Sequence, residues 1–341
     1  MQAPAARGGS DDLARFRRLT GVTIVASFIL ILIGGIVRVS DSGLGCGPAG
    51  SGAHGWPLCG GRALPFLETN AVIEFTHRAV AGVVAVLILA LVWIALRRLR
   101  DHRWLVRGSV AAGILVLAQA ALGGLTVEKD LHEVLVAAHL GLAMLLLGVL
   151  LALRRATEEG SPAAEGAAGA RGLRTLAIVA STLVLATIVA GGYVAGTEGE
   201  GKASEPAIGA HLACGQQFPG CVGSLMPFGT SSLIDAQLTH RALMYLAAIA
   251  VLGAAALAAV RRVRTPAFGI AALVLLAQVL LGALNVWLGK HAGLIVAHLT
   301  VGTLLWTTVV YATLTLSPAP EARRRRARSA ASEIDAAAAG A

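Results

Sequence analysis

Four histidines occupy matched places in the two halves of a 341-residue chain. His77 lies in EFTHRAV and His240 in QLTHRAL, while His139 lies in VAAHLGL and His298 in IVAHLTV. Each sits inside a long apolar run, where an ionisable side chain is costly and points to function by default. Neutral imidazole is the commonest protein ligand for metals. Two imidazoles facing each other across a helix bundle suit haem iron, which takes axial nitrogens from opposite faces of the macrocycle. Zinc would need a third or fourth protein ligand, and only Glu74 stands near in the first half. A single intramembrane histidine is commonly a core polar residue bonded to a neighbouring helix. Four at duplicated positions with duplicated neighbours fit that explanation poorly.

The two sets differ at one position. Glu74 precedes His77 by about one helical turn and shares its face, whereas Gln237 holds the matching place before His240. A carboxylate at the membrane edge is expensive unless paired or protonated. The first half is therefore equipped for proton transfer or for work on an electron-poor carbon, and the second for holding a redox cofactor. Asp235 is off that register. Arg78 and Arg241 directly follow His77 and His240, where a guanidinium can pair with a porphyrin propionate or snorkel to the headgroups. His132 and His291 precede His139 and His298 by two turns, as cofactor neighbours or interfacial anchors; His54, His102 and His211 fall in loops and read as solvated.

The elements that carry these residues follow from composition. With 56% hydrophobic and 14% charged residues, and a mean hydropathy of +0.74, the chain is too apolar for an ordinary soluble surface. Crossing a ~30 Å hydrocarbon core takes roughly 20 residues. Eight such runs are present, near 20–38, 73–96, 107–127, 133–153, 174–194, 236–260, 267–287 and 293–315. Continuous rather than alternating hydrophobicity makes them helices, which satisfy their own backbone in lipid. The first run is too long, and too closely followed by others, to be a cleaved signal peptide.

Arginine fixes the expected orientation. If the amino terminus is inside, the inner segments hold Arg15, Arg17 and Arg18, then Arg97 to Arg107, Arg154 to Arg174, Arg261 to Arg264 and the run Arg323 to Arg328, while the outer loops are nearly bare of cations. This is the positive-inside pattern, with both termini cytoplasmic. The net charge of +9 thus reflects topology and gives no reason to expect nucleic acid. All four cysteines fall in outer loops, where disulfides are permitted. One bridge per loop, Cys46 with Cys59 and Cys214 with Cys221, is the simplest pairing; zinc is the lesser alternative, since neither pair has CxxC spacing.

The halves also repeat. LAQAALGGLTV at 117–127 matches LAQVLLGALNV at 276–286, and THR at 76–78 matches THR at 239–241. Four helices separate the repeats, so the halves share one orientation about an axis along the membrane normal. The expected organisation is an all-α membrane protein of two tandem pseudo-symmetric four-helix bundles. A tail spans 1–19, the first bundle 20–153, an Ala/Gly/Glu-rich linker 154–173, the second bundle 174–315, and a basic disordered tail 316–341.

With these residues in hand the chain resembles the haem A synthases. The resemblance rests on GGIVRVSDSGLGC, the WPLC at 56–59, EFTHR, AAHLGLA, LTHR and AHLT, and covers all eight helices. It implies an oxidoreductase that converts the ring D methyl (C8) of haem O, through an alcohol and a gem-diol, to the formyl group of haem A for cytochrome oxidase. His77 and His139 would then flank the substrate haem, Glu74 would be the catalytic carboxylate, and His240 and His298 would ligate a permanent haem b that relays electrons. The resemblance further implies a multi-pass protein of the cell membrane with its cysteine loops on the extracellular side. Partners would be the lipid membrane, an enzyme that makes haem O, and cytochrome oxidase assembly factors. The stretch between Cys46 and Cys59 is longer than expected of the family. A di-haem, cytochrome b-like electron-transfer subunit would use the same four histidines but treat both sites alike. A transporter of parallel repeats would explain the duplication but would break its helices with proline, which is absent from all eight runs.

Overall fold

A computed structural model describes residues 5–65, 67–158, 167–198, 209–263, 265–289 and 291–316. The centre of the linker, Lys202, Arg264, Lys290 and the basic tail from 317 onward lie outside the described residues. Eight helices follow one another: α1 (Ala5–Val39), α2 (Thr69–Arg98), α3 (Arg103–Glu128), α4 (Glu133–Ala156), α5 (Ala167–Gly196), α6 (Ser232–Val260), α7 (Ala267–Trp287) and α8 (Ala292–Thr315). All eight are long and apolar enough to cross a membrane. No strand forms among the described residues.

The helices outrun the apolar segments at several ends, for identifiable reasons. α1 begins well inside the stretch expected as a tail, because Phe16 is fully buried against a cluster that includes Leu91, Leu105, Leu150 and Leu153. α6 is capped by Ser231, whose hydroxyl accepts from the Ile234 amide at 3.3 Å, and α4 by His132, whose Nδ1 accepts from the Val134 amide. Such caps satisfy amides that a helix start leaves unpaired. Arg97 and Arg98 close α2, and Arg154 and Arg155 close α4, where cations meet the negative end of the helix dipole. Hydroxyls within the spans turn back on the preceding turn; Thr20, Thr126 and Thr303 each donate to the carbonyl four residues earlier.

Each helix packs on its neighbour in sequence, and α1 also packs on α4 and α5 on α8. Contacts between the first four helices and the last four run mainly through α4–α5, α1–α8 and α4–α8. The largest buried cluster lies at this meeting, built from Met144, Leu147 and Leu151 of α4, Ala180 and Val184 of α5, and Trp306 and Val309 of α8. Large side chains such as Val86, Ile114, Ile249 and Leu273 face outward, as they can where lipid, as apolar as leucine, is the solvent.

Trp306 and Arg38 make polar bonds that cross between the sets. The indole Nε1 of Trp306 donates to the Met144 carbonyl at 2.9 Å in the buried cluster. At the C-terminal ends of α1 and α5, Nε and Nη2 of Arg38 both donate to the Ala195 carbonyl, at 3.0 and 2.7 Å, and so cap the last turn of α5. Trp306→Phe removes one buried bond worth about 1 kcal/mol, and its smaller ring leaves a gap in the cluster that can only add to the loss. The expected result is a drop of about 2 °C or more in the thermal midpoint of the detergent-solubilised protein; an unchanged midpoint would show that the bond does not hold the two sets together.

Candidate functional site

The cysteines pair as one bridge per loop. Cys46 joins Cys59 with Cα atoms 4.3 Å apart, and Cys214 joins Cys221 at 4.6 Å. Each loop closes beside its bridge in a short antiparallel pairing, Cys59 with Arg62 and Cys221 with Ser224. Since the thiols are used, zinc has no sulfur ligands here. Among the described residues, no group of three or more His, Cys, Asp or Glu side chains could hold a bare metal ion.

The first loop is tied to α2 by Glu74 and Arg78. Glu74 is only 3% exposed; one carboxylate oxygen accepts from the Cys46 amide at 2.7 Å, and the other accepts from the Arg78 guanidinium. Arg78 Nη1 donates in turn to the Gly55 and Leu58 carbonyls, at 2.7 and 3.0 Å. Every partner of Glu74 named here is a donor, so the site is built to hold a carboxylate. Trp56 of the same loop lies on α3, where a methyl placed on Gly124 would come within 2.9 Å of the indole.

The second loop repeats the arrangement without the acid. Arg241 Nη1 donates to the Gly220 carbonyl at 2.7 Å, and its Cζ stands 5.5 Å from the Phe218 ring centroid. Gln237 is buried at the place of Glu74, yet Arg241, itself 3% exposed, has no partner for Nε or Nη2 among the described residues. Two buried guanidinium donors are thus left open, an expensive arrangement unless a ligand answers them. Asp235 is occupied elsewhere, accepting from the Gly229 amide at 2.8 Å.

All four histidines are partly buried, and each has a glycine of the adjacent helix against its ring. A methyl group on Gly34, Gly123, Gly191 or Gly282 would lie 3.1, 3.1, 3.0 or 3.1 Å from Cε1 of His77, His139, His240 and His298 respectively. In every case Nε2 is the ring nitrogen farther from the glycine. His240 Nδ1 is 2.9 Å from the Thr187 carbonyl, whereas Nδ1 of His77, His139 and His298 is buried without a hydrogen-bond partner among the described residues. His77 and His139 stand close enough to interact electrostatically, as do His240 and His298. Pairs of imidazoles that lack further protein ligands match a metal whose other ligands come from a macrocycle.

Several neighbours were not singled out from the sequence. His211, expected to be solvated, places Nε2 3.4 Å from the Asn285 carbonyl of α7 and stands near both His240 and His298. The Gln119 amide donates to the His139 carbonyl at 2.9 Å, and the Gln278 amide nitrogen lies 3.2 Å from His298 Nε2. The repeated LAQ at 117–119 and 276–278 was the available signal for both glutamines. His132 and His291 sit at the starts of α4 and α8 and are exposed.

The chain matches the model of the family described as cytochrome oxidase assembly protein over residues 17–310. Relatives named Heme A synthase include that of Alkalihalophilus pseudofirmus, 32% identical over 216 residues, or 61% of this chain and 68% of that protein. The relative of the same name from Halalkalibacterium halodurans is 27% identical over 314 residues, 90% of this chain and 97% of its own. That from Symbiobacterium thermophilum is 31% identical over 233 residues, 66% and 69% of the two chains. Together with the paired histidines, the disulfide-stapled loops and the buried Glu74, these matches make the chain a member of the haem A synthase family.

Proposed function

We propose that this protein is a haem A synthase, an oxidoreductase of the cell membrane that converts the C8 methyl of haem O to a formyl group. The observation that carries the reading is the duplicated histidine pair with a carboxylate in only one copy: Glu74 beside His77, Gln237 beside His240. On this reading the chain is two tandem pseudo-symmetric four-helix bundles, with both termini cytoplasmic and the cysteine loops outside, as the arginine distribution indicates.

The first bundle binds haem O as substrate between His77 and His139. The residues of the second fit a haem b: His240 and His298 would hold its iron through Nε2, and the open Nε and Nη2 of Arg241 would answer a propionate. When bound, that haem supplies one-electron chemistry. Arg78 is less suited to a propionate, because Glu74 and two loop carbonyls already occupy it. Its work is to orient Glu74, which stands one turn from His77 and would move protons at the carbon being oxidised. The disulfide loop, joined to Glu74 through the Cys46 amide, covers this edge and limits the entry of water. Haem O arrives from the enzyme that makes it, and the product passes to cytochrome oxidase assembly.

Glu74→Gln should leave the haem b absorption bands intact and abolish the formyl-bearing pigment in extracted haems; full haem A formation in that variant would end the acid's role. His298→Ala should strip low-spin haem b from the purified protein, and an unaltered spectrum would refute the ligand assignment. Arg241→Gln should lower haem b per protein several-fold with both histidines in place. Equal haem content in variant and parent would remove the propionate contact.

A further inference from the structure

Gly34 and Gly35 are consecutive in α1, and Gly191 and Gly192 are consecutive in α5. Successive residues on a helix point roughly 100° apart, so two adjacent glycines open a notch across two faces at one level. The first of each pair faces a histidine of its own four helices: Gly34 faces His77 and Gly191 faces His240. The second faces a helix of the other four. A methyl on Gly35 would lie 2.5 Å from Cδ2 of Leu299, the neighbour of His298 in α8. A methyl on Gly192 would lie 3.1 Å from Cδ2 of Leu140, the neighbour of His139 in α4, and 3.2 Å from Cα of Ala137. The same contact thus occurs twice with the halves exchanged, along two of the packed pairs, α1–α8 and α4–α5, that join the sets.

We propose that the two double glycines are positioning residues that brace each histidine pair from the opposite half: Gly35 places His298 through Leu299, and Gly192 places His139 through Leu140 and Ala137. This rests on the reading of the four histidines as haem ligands. Small residues let helix backbones approach closely in lipid, where packing rather than hydrophobicity joins them. Here the approach occurs at the level of the ligands, so the path from His77 through Gly34, Gly35 and Leu299 to His298 contains no side chain larger than one leucine between the rings. The mirror path runs from His240 through Gly191, Gly192 and Leu140 to His139.

The unpartnered Nδ1 atoms of His77, His139 and His298 add an independent point. Among the described residues no hydrogen bond at Nδ1 fixes these rings, as the Thr187 carbonyl fixes His240; Gln278 reaches His298 only at Nε2, the nitrogen a metal would take, so on the ligand reading packing must orient them. Ring orientation matters because it governs the basicity and direction of the ligating nitrogen. His298 is therefore held by its own Gly282 on one side and, through Leu299, by Gly35 of the other half.

The test uses the full-length protein purified with its haem and low-temperature electron paramagnetic resonance of the ferric state. His298→Ala first identifies the low-spin signal that belongs to His298. Gly35→Ala should shift or broaden that same signal although Gly35 lies in the first half, and Leu299→Ala added to Gly35→Ala should restore it. Gly82→Ala, where a methyl meets nothing within 4 Å, should leave it unchanged. With haemin added, Gly192→Ala should likewise shift the signal that His139→Ala removes. If His298→Ala removes its signal while Gly35→Ala leaves it as in the parent, or if Leu299→Ala fails to restore it, the bracing is overturned and the ligand reading stands. If His298→Ala itself changes nothing, the ligand reading falls and the bracing with it.

Discussion

A polar group in hydrocarbon has no water to fall back on, so each must be answered from within the chain. Inside the spans the answers are local, with threonine hydroxyls folded onto the preceding turn. At the edge that carries the disulfide loops they are long-range and come from backbone carbonyls. Arg38 takes that of Ala195, Arg78 those of Gly55 and Leu58, and Arg241 that of Gly220. The carbonyls serve only if the loops hold their shape, and the two disulfides fix the loops where the arginines need them. Loop closure, arginine burial and the placement of Glu74 are one connected arrangement.

The same constraint explains how much could be read in advance. The eight spans, the histidine pairs and the one-bridge-per-loop cysteines rest on signals within a few residues of each site. Apolar length, charge bias and repeated words are all local. Contacts between distant segments left no comparable trace. Nothing around Arg78 states that its guanidinium will be taken by a carboxylate and two loop carbonyls, and nothing around His211 states that its loop will fold back against α7. The helical start near Ala5 escaped because Phe16 is buried by residues of α2, α3 and α4. Gly35 and Gly192 are ordinary small residues in apolar runs until the partner helix is known. Glu74 was legible for the opposite reason, since duplication supplied its own control in Gln237.

Trp306 and Arg38 divide the work of joining the two sets between the middle of the bundle and one end, one through a buried indole and the other through a capped helix end. Between them, at the level of the histidines, the contact is made by glycine against leucine and leaves little slack.

The difference between the two arginines bears on residence time. On the proposed reading, a carboxylate that approaches Arg78 must displace one the protein already holds, while a carboxylate that approaches Arg241 meets two idle donors in a site sealed from water. The first half would release what it binds, and the second would keep it. A molecule that visits, reacts and leaves suits the former, and a tenant installed once for the life of the protein suits the latter.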